Sequence, residues 1–185
     1  MNIPNFLSLL RIILVPVFVI FLIQSEYDKA LITFMVAGLT DALDGTLARL
    51  MKCQTTLGAY LDPIADKLLL VTSFVALAVF GIIPGWLAVI VISRDFIILL
   101  GIAILSLMSV AYEIKPAIVG KITTVLQVAT IFLALLYKTF THDFGYYWIV
   151  SLCWATALFT VISGLVYIMR GLRILNKSVP EEGKK

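Results

Sequence analysis

The stretch Asp41-Ala-Leu-Asp44-Gly45-Thr-Leu-Ala48-Arg49, followed after eight residues by Gly58-Ala-Tyr-Leu-Asp62-Pro63-Ile-Ala-Asp66, decides how this chain is read. The flanking segments, 31–39 and 68–80, are apolar enough for a bilayer interior. An ionised group at that depth is costly, so carboxylates there mark function. Four of them brought together repel one another unless divalent cations neutralise the charge.

Helical phase makes the pattern specific. With 3.6 residues per turn, Asp41, Asp44, Gly45 and Ala48 project from one narrow face, and Gly58, Asp62 and Asp66 form a stripe on the next helix. The short connection around 52–56 makes the two helices an antiparallel pair, so the stripes can face each other. Carboxylates converging from two helices are the oxygen ligands that Mg²⁺ or Mn²⁺ prefers. Two such ions side by side form a clamp suited to phosphoryl chemistry.

The residues between the aspartates have their own reasons. Gly45, Ala48 and Gly58 remove bulk where a ligand or a neighbouring backbone comes close. Arg49 ends the face, and its guanidinium fork matches phosphate oxygens. Pro63 predicts that the third helix bends or begins anew there, an irregularity that would line a polar cavity. Small-residue pairs alone would mean helix packing, and a single aspartate a packing hydrogen bond or a proton relay. Four aspartates at this spacing, with Gly, Ala and Arg between them, favour ligand binding over packing.

Outward from that stretch, the chain is membrane-grade. Of its 185 residues 62% are hydrophobic and 14% charged, and the mean hydropathy is +1.08. A soluble domain carries about 25% charged residues. At about 20 residues per span, six apolar stretches fit: Phe6–Ile23, Lys29–Leu50, Leu57–Phe80, Trp86–Ser109, Ala117–Tyr137 and Tyr147–Gly171. No strand-like alternation interrupts them, so an all-α membrane protein of six transmembrane helices is expected. Residues 1–171 make one catalytic domain and 172–185 a polar tail, set on anionic headgroups or simply disordered.

Lysine and arginine set the orientation. With the N-terminus cytoplasmic, Arg49, Lys52, Lys115, Arg170, Arg173, Lys177, Lys184 and Lys185 all fall on that side. Lys29 and Lys138 are left outside, so both termini and the acidic cluster are expected to face the cytoplasm. The first apolar stretch lacks a basic leader and cleavage site and is expected to stay as a span. A bacterial inner membrane fits this. Cys53 and Cys153 read as small apolar residues rather than a zinc or disulfide framework, and His142 as a solvated loop residue. Trp86, Trp148 and Trp154 sit where interfacial belts place aromatics.

The aspartate stretch resembles the CDP-alcohol phosphatidyltransferase signature, Asp-x-x-Asp-Gly-x-x-Ala-Arg-x8-Gly-x3-Asp-x3-Asp, at every fixed position. Asn2-Ile-Pro-Asn5, Arg11, Ser93-Arg94-Asp95 and Lys121-Ile-Thr-Thr124-x-x-Gln127 are similar to the family's phosphatidylglycerophosphate synthase branch. Ala37-Gly-Leu-Thr-Asp41, Ile92-Ser-Arg-Asp95 and Lys115-Pro116 also look like its cardiolipin synthases. The resemblance implies a six-helix fold, commonly a homodimer, open to the cytoplasm and laterally to lipid. It implies CDP-diacylglycerol as donor, CMP as leaving group and either sn-glycerol 3-phosphate or phosphatidylglycerol as acceptor, the former favoured; no nucleic acid is involved.

Carried over by position, the resemblance implies that Asp41, Asp44, Asp62 and Asp66 hold two divalent cations, Asp66 also being the general base. It implies that Gly45, Ala48, Arg49 and Gly58 receive the cytidine diphosphate above Asp41 and Asp44. For the acceptor phosphate, Arg94 lies about eight residues into the fourth helix, where an arginine is rarely idle, unless Asp95 simply pairs with it. Lys121 either reaches the same cavity or snorkels to the surface. Arg170 either joins them or sets topology. Many synthases of that branch have a further arginine about eight residues beyond the equivalent of Arg94, whereas Phe96–Ala103 carries no charge. A transporter or channel would also use intramembrane carboxylates, but the confinement of these to adjacent helices, without inverted repeats, counts against it.

Overall fold

A computed structural model describes residues 3–51, 56–107, 118–140 and 146–178, with side chains apart from those of 3–5, 42–51, 56–63, 106, 146 and 175–178. Among the described residues six helices follow in order: α1 (Ile3–Ile23), α2 (Tyr27–Met51), α3 (Thr56–Val79), α4 (Gly85–Leu107), α5 (Ile118–Phe140) and α6 (Tyr146–Ser178). There is no strand among the described residues.

Two of the turns explain why neighbouring helices run antiparallel. After α1, the Ser25 amide donates to the Leu22 carbonyl and the Glu26 amide to that of Phe21, with Ser25 left-handed at φ 58°. After α3, Gly81 and Ile82 repeat the pattern on Ala78 and Leu77, with Gly81 at φ 66°. Both are Schellman closures, which satisfy the last helical carbonyls and reverse the chain at once. Gly81 takes the left-handed position at no steric cost, unlike Ser25.

Side-chain pairs fix the arrangement. Phe18 and Phe34 stack tilted across α1 and α2, with ring centroids 6.1 Å apart. Trp86 lies 4.8 Å from Trp154, and Arg94 further along α4 meets Ser163 further along α6, so these two helices run parallel. Between α5 and α6 a hydroxyl seam holds: Thr123 bonds the Phe159 carbonyl, and Thr130 lies 2.8 Å from Thr156. Phe18, Leu22, Phe74, Leu77, Leu87 and Ile131 fill the core. Many apolar side chains face outward instead, including Val79, Val89, Phe96 and Val125, which suits lipid rather than water.

Among the described residues four helices are long and apolar enough to cross a membrane: α1, α4, α5 and α6. Helix α2 carries Asp28, Lys29, Asp41, Asp44 and Arg49, and α3 carries Asp62, Asp66 and Lys67, which lower their hydropathy. The expected starts and ends agree with the helices to within a few residues at most termini. Of the two expectations at Pro63, a bend or a new start, the second is corrected: α3 is a single helix from Thr56. Pro16 likewise lies inside α1. Membrane helices tolerate proline because neighbouring groups re-satisfy the freed carbonyl. Helix α6 also extends to Ser178, past the expected end at Gly171.

Candidate active site

Arg11, fully buried on α1, joins the two aspartate-bearing helices. Its Nη1 lies 3.1 Å from Asp41 Oδ1 on α2 and also bonds Asp66 Oδ1 on α3. One nitrogen touching both oxygens means that the first carboxylate of one stripe and the last of the other converge. The arginine is enclosed, while the Asp41 and Asp66 side chains are 48% and 42% exposed. The pair therefore opens to a ligand on one side and rests on a cation on the other.

Asp44 follows Asp41 by three residues on α2, and Asp62 precedes Asp66 by four on α3, so the backbone keeps each on its partner's face. The side chains of Asp44, Asp62, Gly45, Ala48, Arg49 and Gly58 lie outside the described residues. Among the described ones no third metal-ligating side chain joins Asp41 and Asp66. Carboxylate oxygens from two helices gathered around one cationic nitrogen are nonetheless the donor type a hard divalent cation takes. Asp41 and Asp66 fit such an ion.

A second charged cluster lies on α3 and α4. Lys67 Nζ is 2.5 Å from Asp95 Oδ2, and Arg94 Nη1 is 2.7 Å from Asp95 Oδ1. Arg94 Nη2 donates to Ser163 Oγ at 2.9 Å, and the guanidinium sits 5.6 Å from the Tyr167 ring centroid. Gly120 lets α5 approach: a Cβ there would come within 3.0 Å of the Tyr167 hydroxyl and 3.4 Å of Arg94 Nη2. Buried charges persist when paired and hydrogen-bonded, and Asp95 serves two cations at once.

This geometry settles how the predicted acceptor residues lie. Asp95 does pair with Arg94, so the guanidinium is held rather than free. Lys121 follows Gly120 on α5 but is itself exposed, and Arg170 is exposed on α6. The roles of Arg11 and Lys67 were missed by the sequence reading. The signal for Arg11 was present: a charge in mid-helix among Leu9, Leu10, Ile12 and Ile13, the same criterion that singled out Arg94. For Lys67 nothing local distinguishes a partner of Asp95 from an interfacial lysine.

Comparison with known proteins bears on the chemistry. The model of the family described as CDP-alcohol phosphatidyltransferase matches residues 1–168. A CDP-diacylglycerol–glycerol-3-phosphate 3-phosphatidyltransferase of Bacillus subtilis (strain 168) is 29% identical over 192 residues, covering 96% of this chain and 98% of the relative. A protein of Mycobacterium tuberculosis (strain ATCC 25618 / H37Rv) named "Probable phosphatidylglycerophosphate synthase" is 34% identical, covering 93% and 82%. A cardiolipin synthase (CMP-forming) of Homo sapiens is 32% identical, covering 92% of this chain and 62% of the relative.

Proposed function

The chain belongs to the CDP-alcohol phosphatidyltransferase family and is an enzyme of that class, and from that premise we propose that it moves a phosphatidyl group from CDP-diacylglycerol to sn-glycerol 3-phosphate. The products are phosphatidylglycerophosphate and CMP. The observation that carries this reading is the convergence of Asp41 and Asp66 on one cation from two adjacent helices. Two divalent cations on Asp41, Asp44, Asp62 and Asp66 would, when bound, neutralise the diphosphate and the charge on departing CMP.

The remaining work falls to the chain's own groups. Asp66 accepts the proton of the acceptor hydroxyl as its oxygen attacks the phosphorus bearing diacylglycerol. The bond from that phosphorus to the CMP oxygen breaks, and CMP leaves with the electron pair. No nucleophilic side chain is required, so the transfer is direct. Gly45, Ala48, Arg49 and Gly58 receive the cytidine diphosphate, and Arg49 supplies a guanidinium for its phosphates. Arg94, fixed by Asp95 and Ser163, presents positive potential to the acceptor, with Lys121 and Arg170 nearer the surface. The lysine and arginine bias puts this site on the cytoplasmic side of a cell membrane.

A second acceptor, phosphatidylglycerol, is favoured by one observation. Arg94 and Lys67 are both bound to Asp95, and Phe96–Ala103 has no charge, which leaves less positive charge for a phosphomonoester. Purified enzyme given CDP-diacylglycerol, Mg²⁺ and either acceptor decides the matter. CMP release with glycerol 3-phosphate and none with phosphatidylglycerol is expected. Release only with phosphatidylglycerol would reassign the acceptor, and release with neither would remove the proposed transfer.

A further inference from the structure

Arg11 brings a permanent cation to the aspartates, and no step of the proposed transfer uses it. Its side chain is fully buried, and a guanidinium keeps its charge at every working pH, so burial cannot silence it as it can a lysine. One nitrogen, Nη1, serves both Asp41 Oδ1 of α2 and Asp66 Oδ1 of α3. The two carboxylates are therefore tied to each other through α1, without any other cation. The tie is also held from behind. Helix α1 packs against both α2 and α3, Phe18 and Leu22 seat it in the core, and the Schellman turn after Leu22 joins it to α2. Withdrawal of the guanidinium would leave a buried charge uncompensated.

Such a residue acts on a divalent cation in two opposite ways. It gathers the carboxylates, which favours the ion. It also offsets half of their negative charge, since one guanidinium faces two carboxylates, and it repels any dication that shares their oxygens. A unit charge a few ångströms from a partly exposed site changes a binding constant by about tenfold or more. The gathering effect is the smaller one, because packing among α1, α2 and α3 already sets where the two carboxylates start. Charge therefore wins. An ion arriving from the exposed side of Asp41 and Asp66 meets oxygens that Arg11 has already partly satisfied.

We infer that Arg11 is a positioning residue that stands in for the metal: it holds Asp41 and Asp66 together in the ion-free enzyme and weakens their grip on a lone divalent cation. The ion then binds firmly only with a diphosphate, whose negative charge offsets the guanidinium. This rests on the reading of the aspartates as ligands of a divalent cation, and it does not depend on which acceptor the enzyme uses. Arg11 itself touches neither donor nor acceptor in this scheme. Its effect passes through the two carboxylates.

The test is Mn²⁺ binding to the full chain in detergent, with free Mn²⁺ counted by electron paramagnetic resonance and no donor present. Arg11→Gln, which keeps a hydrogen-bond donor and removes the charge, should bind Mn²⁺ about tenfold tighter than the unaltered protein, or more. Arg11→Met should act in the same direction, and Arg11→Lys, which keeps the charge, should stay close to the unaltered protein. A merely structural arginine could only loosen the ion when removed, so a gain in affinity separates the two roles. The unaltered protein should also bind Mn²⁺ about tenfold tighter once CDP-diacylglycerol is in the micelles, a measurement that stands if neither neutral variant gives a folded melting transition. Equal or weaker Mn²⁺ binding by a folded neutral variant overturns the inference and leaves the metal reading intact. Equal affinity with and without donor in the unaltered protein overturns it as well. Mn²⁺ held by no form of the protein, with or without donor, would overturn the metal reading and this inference together.

Discussion

Replacing Arg11 with methionine tests the centre of the site most directly. The substitution keeps an unbranched apolar stem and removes the cation between Asp41 and Asp66. Breaking a fully buried ion pair by deleting one partner costs about 3–5 kcal/mol, whereas an exposed pair is worth about 0–1 kcal/mol. Here the guanidinium is enclosed and its two carboxylates are nearly half exposed, so water compensates part of the loss. The expected penalty is about 2 kcal/mol, between those limits. For a chain of this length that corresponds to a melting temperature lower by about 4–8 °C. The measurement is thermal unfolding in detergent, with chelator and with millimolar Mg²⁺. The deficit should be largest in chelator and smaller in Mg²⁺, because a divalent ion on the same oxygens relieves the same repulsion. A cycle with Asp41→Asn isolates the pair: once the carboxylate is neutral, Arg11→Met should cost less than it does beside the ionised one. An unchanged melting temperature in chelator, or the same cost in both backgrounds, would refute the reasoning.

Other outcomes follow from the same geometry. Asp66→Asn should abolish CMP release while donor binding is partly retained, as measured by equilibrium binding beside turnover; near-normal turnover would remove the base assignment. Chelator should stop turnover and Mg²⁺ or Mn²⁺ restore it; full activity in chelator would exclude the metal reading. Arg94→Ala should raise the acceptor KM more than the donor KM, and an equal effect on both would leave the arginine a purely structural role. Gly120→Val should displace Tyr167 and Arg94 and act in the same direction, visible as a changed acceptor KM with an unchanged helix content.

The helices were legible because apolar runs of membrane length are long and strongly patterned, and their breaks carry Gly, Pro and charge. The errors have local causes. Residues 172–178 read as a tail because Arg173, Asn176 and Lys177 interrupt the hydropathy, yet Leu172, Ile174 and Leu175 continue a helical period. Pro63 looked like a break by a rule drawn from isolated helices, which does not count the neighbours that repair a missing donor. At the site, the aspartate spacing announced the chemistry, but the partners of Asp41, Asp66 and Asp95 were hidden. Spacing within one helix says which residues share a face. It does not say which residue of a distant helix meets that face, and Arg11 is 55 positions from Asp66.

The hydroxyl seam between α5 and α6 has a mechanical consequence. Thr123 and Thr130 each also donate to a carbonyl four residues earlier in their own helix, at Val119 and Leu126. If the two helices part, these two hydroxyls keep an acceptor, and Thr156, whose hydroxyl faces Thr130 and the Leu126 carbonyl, is the one that loses its cross-helix contacts. Cross-helix polar contacts in membranes are worth only about 0.6 kcal/mol each, so the joint unzips cheaply and recloses in register. For the two-tailed donor proposed above, that joint offers a ready-made door.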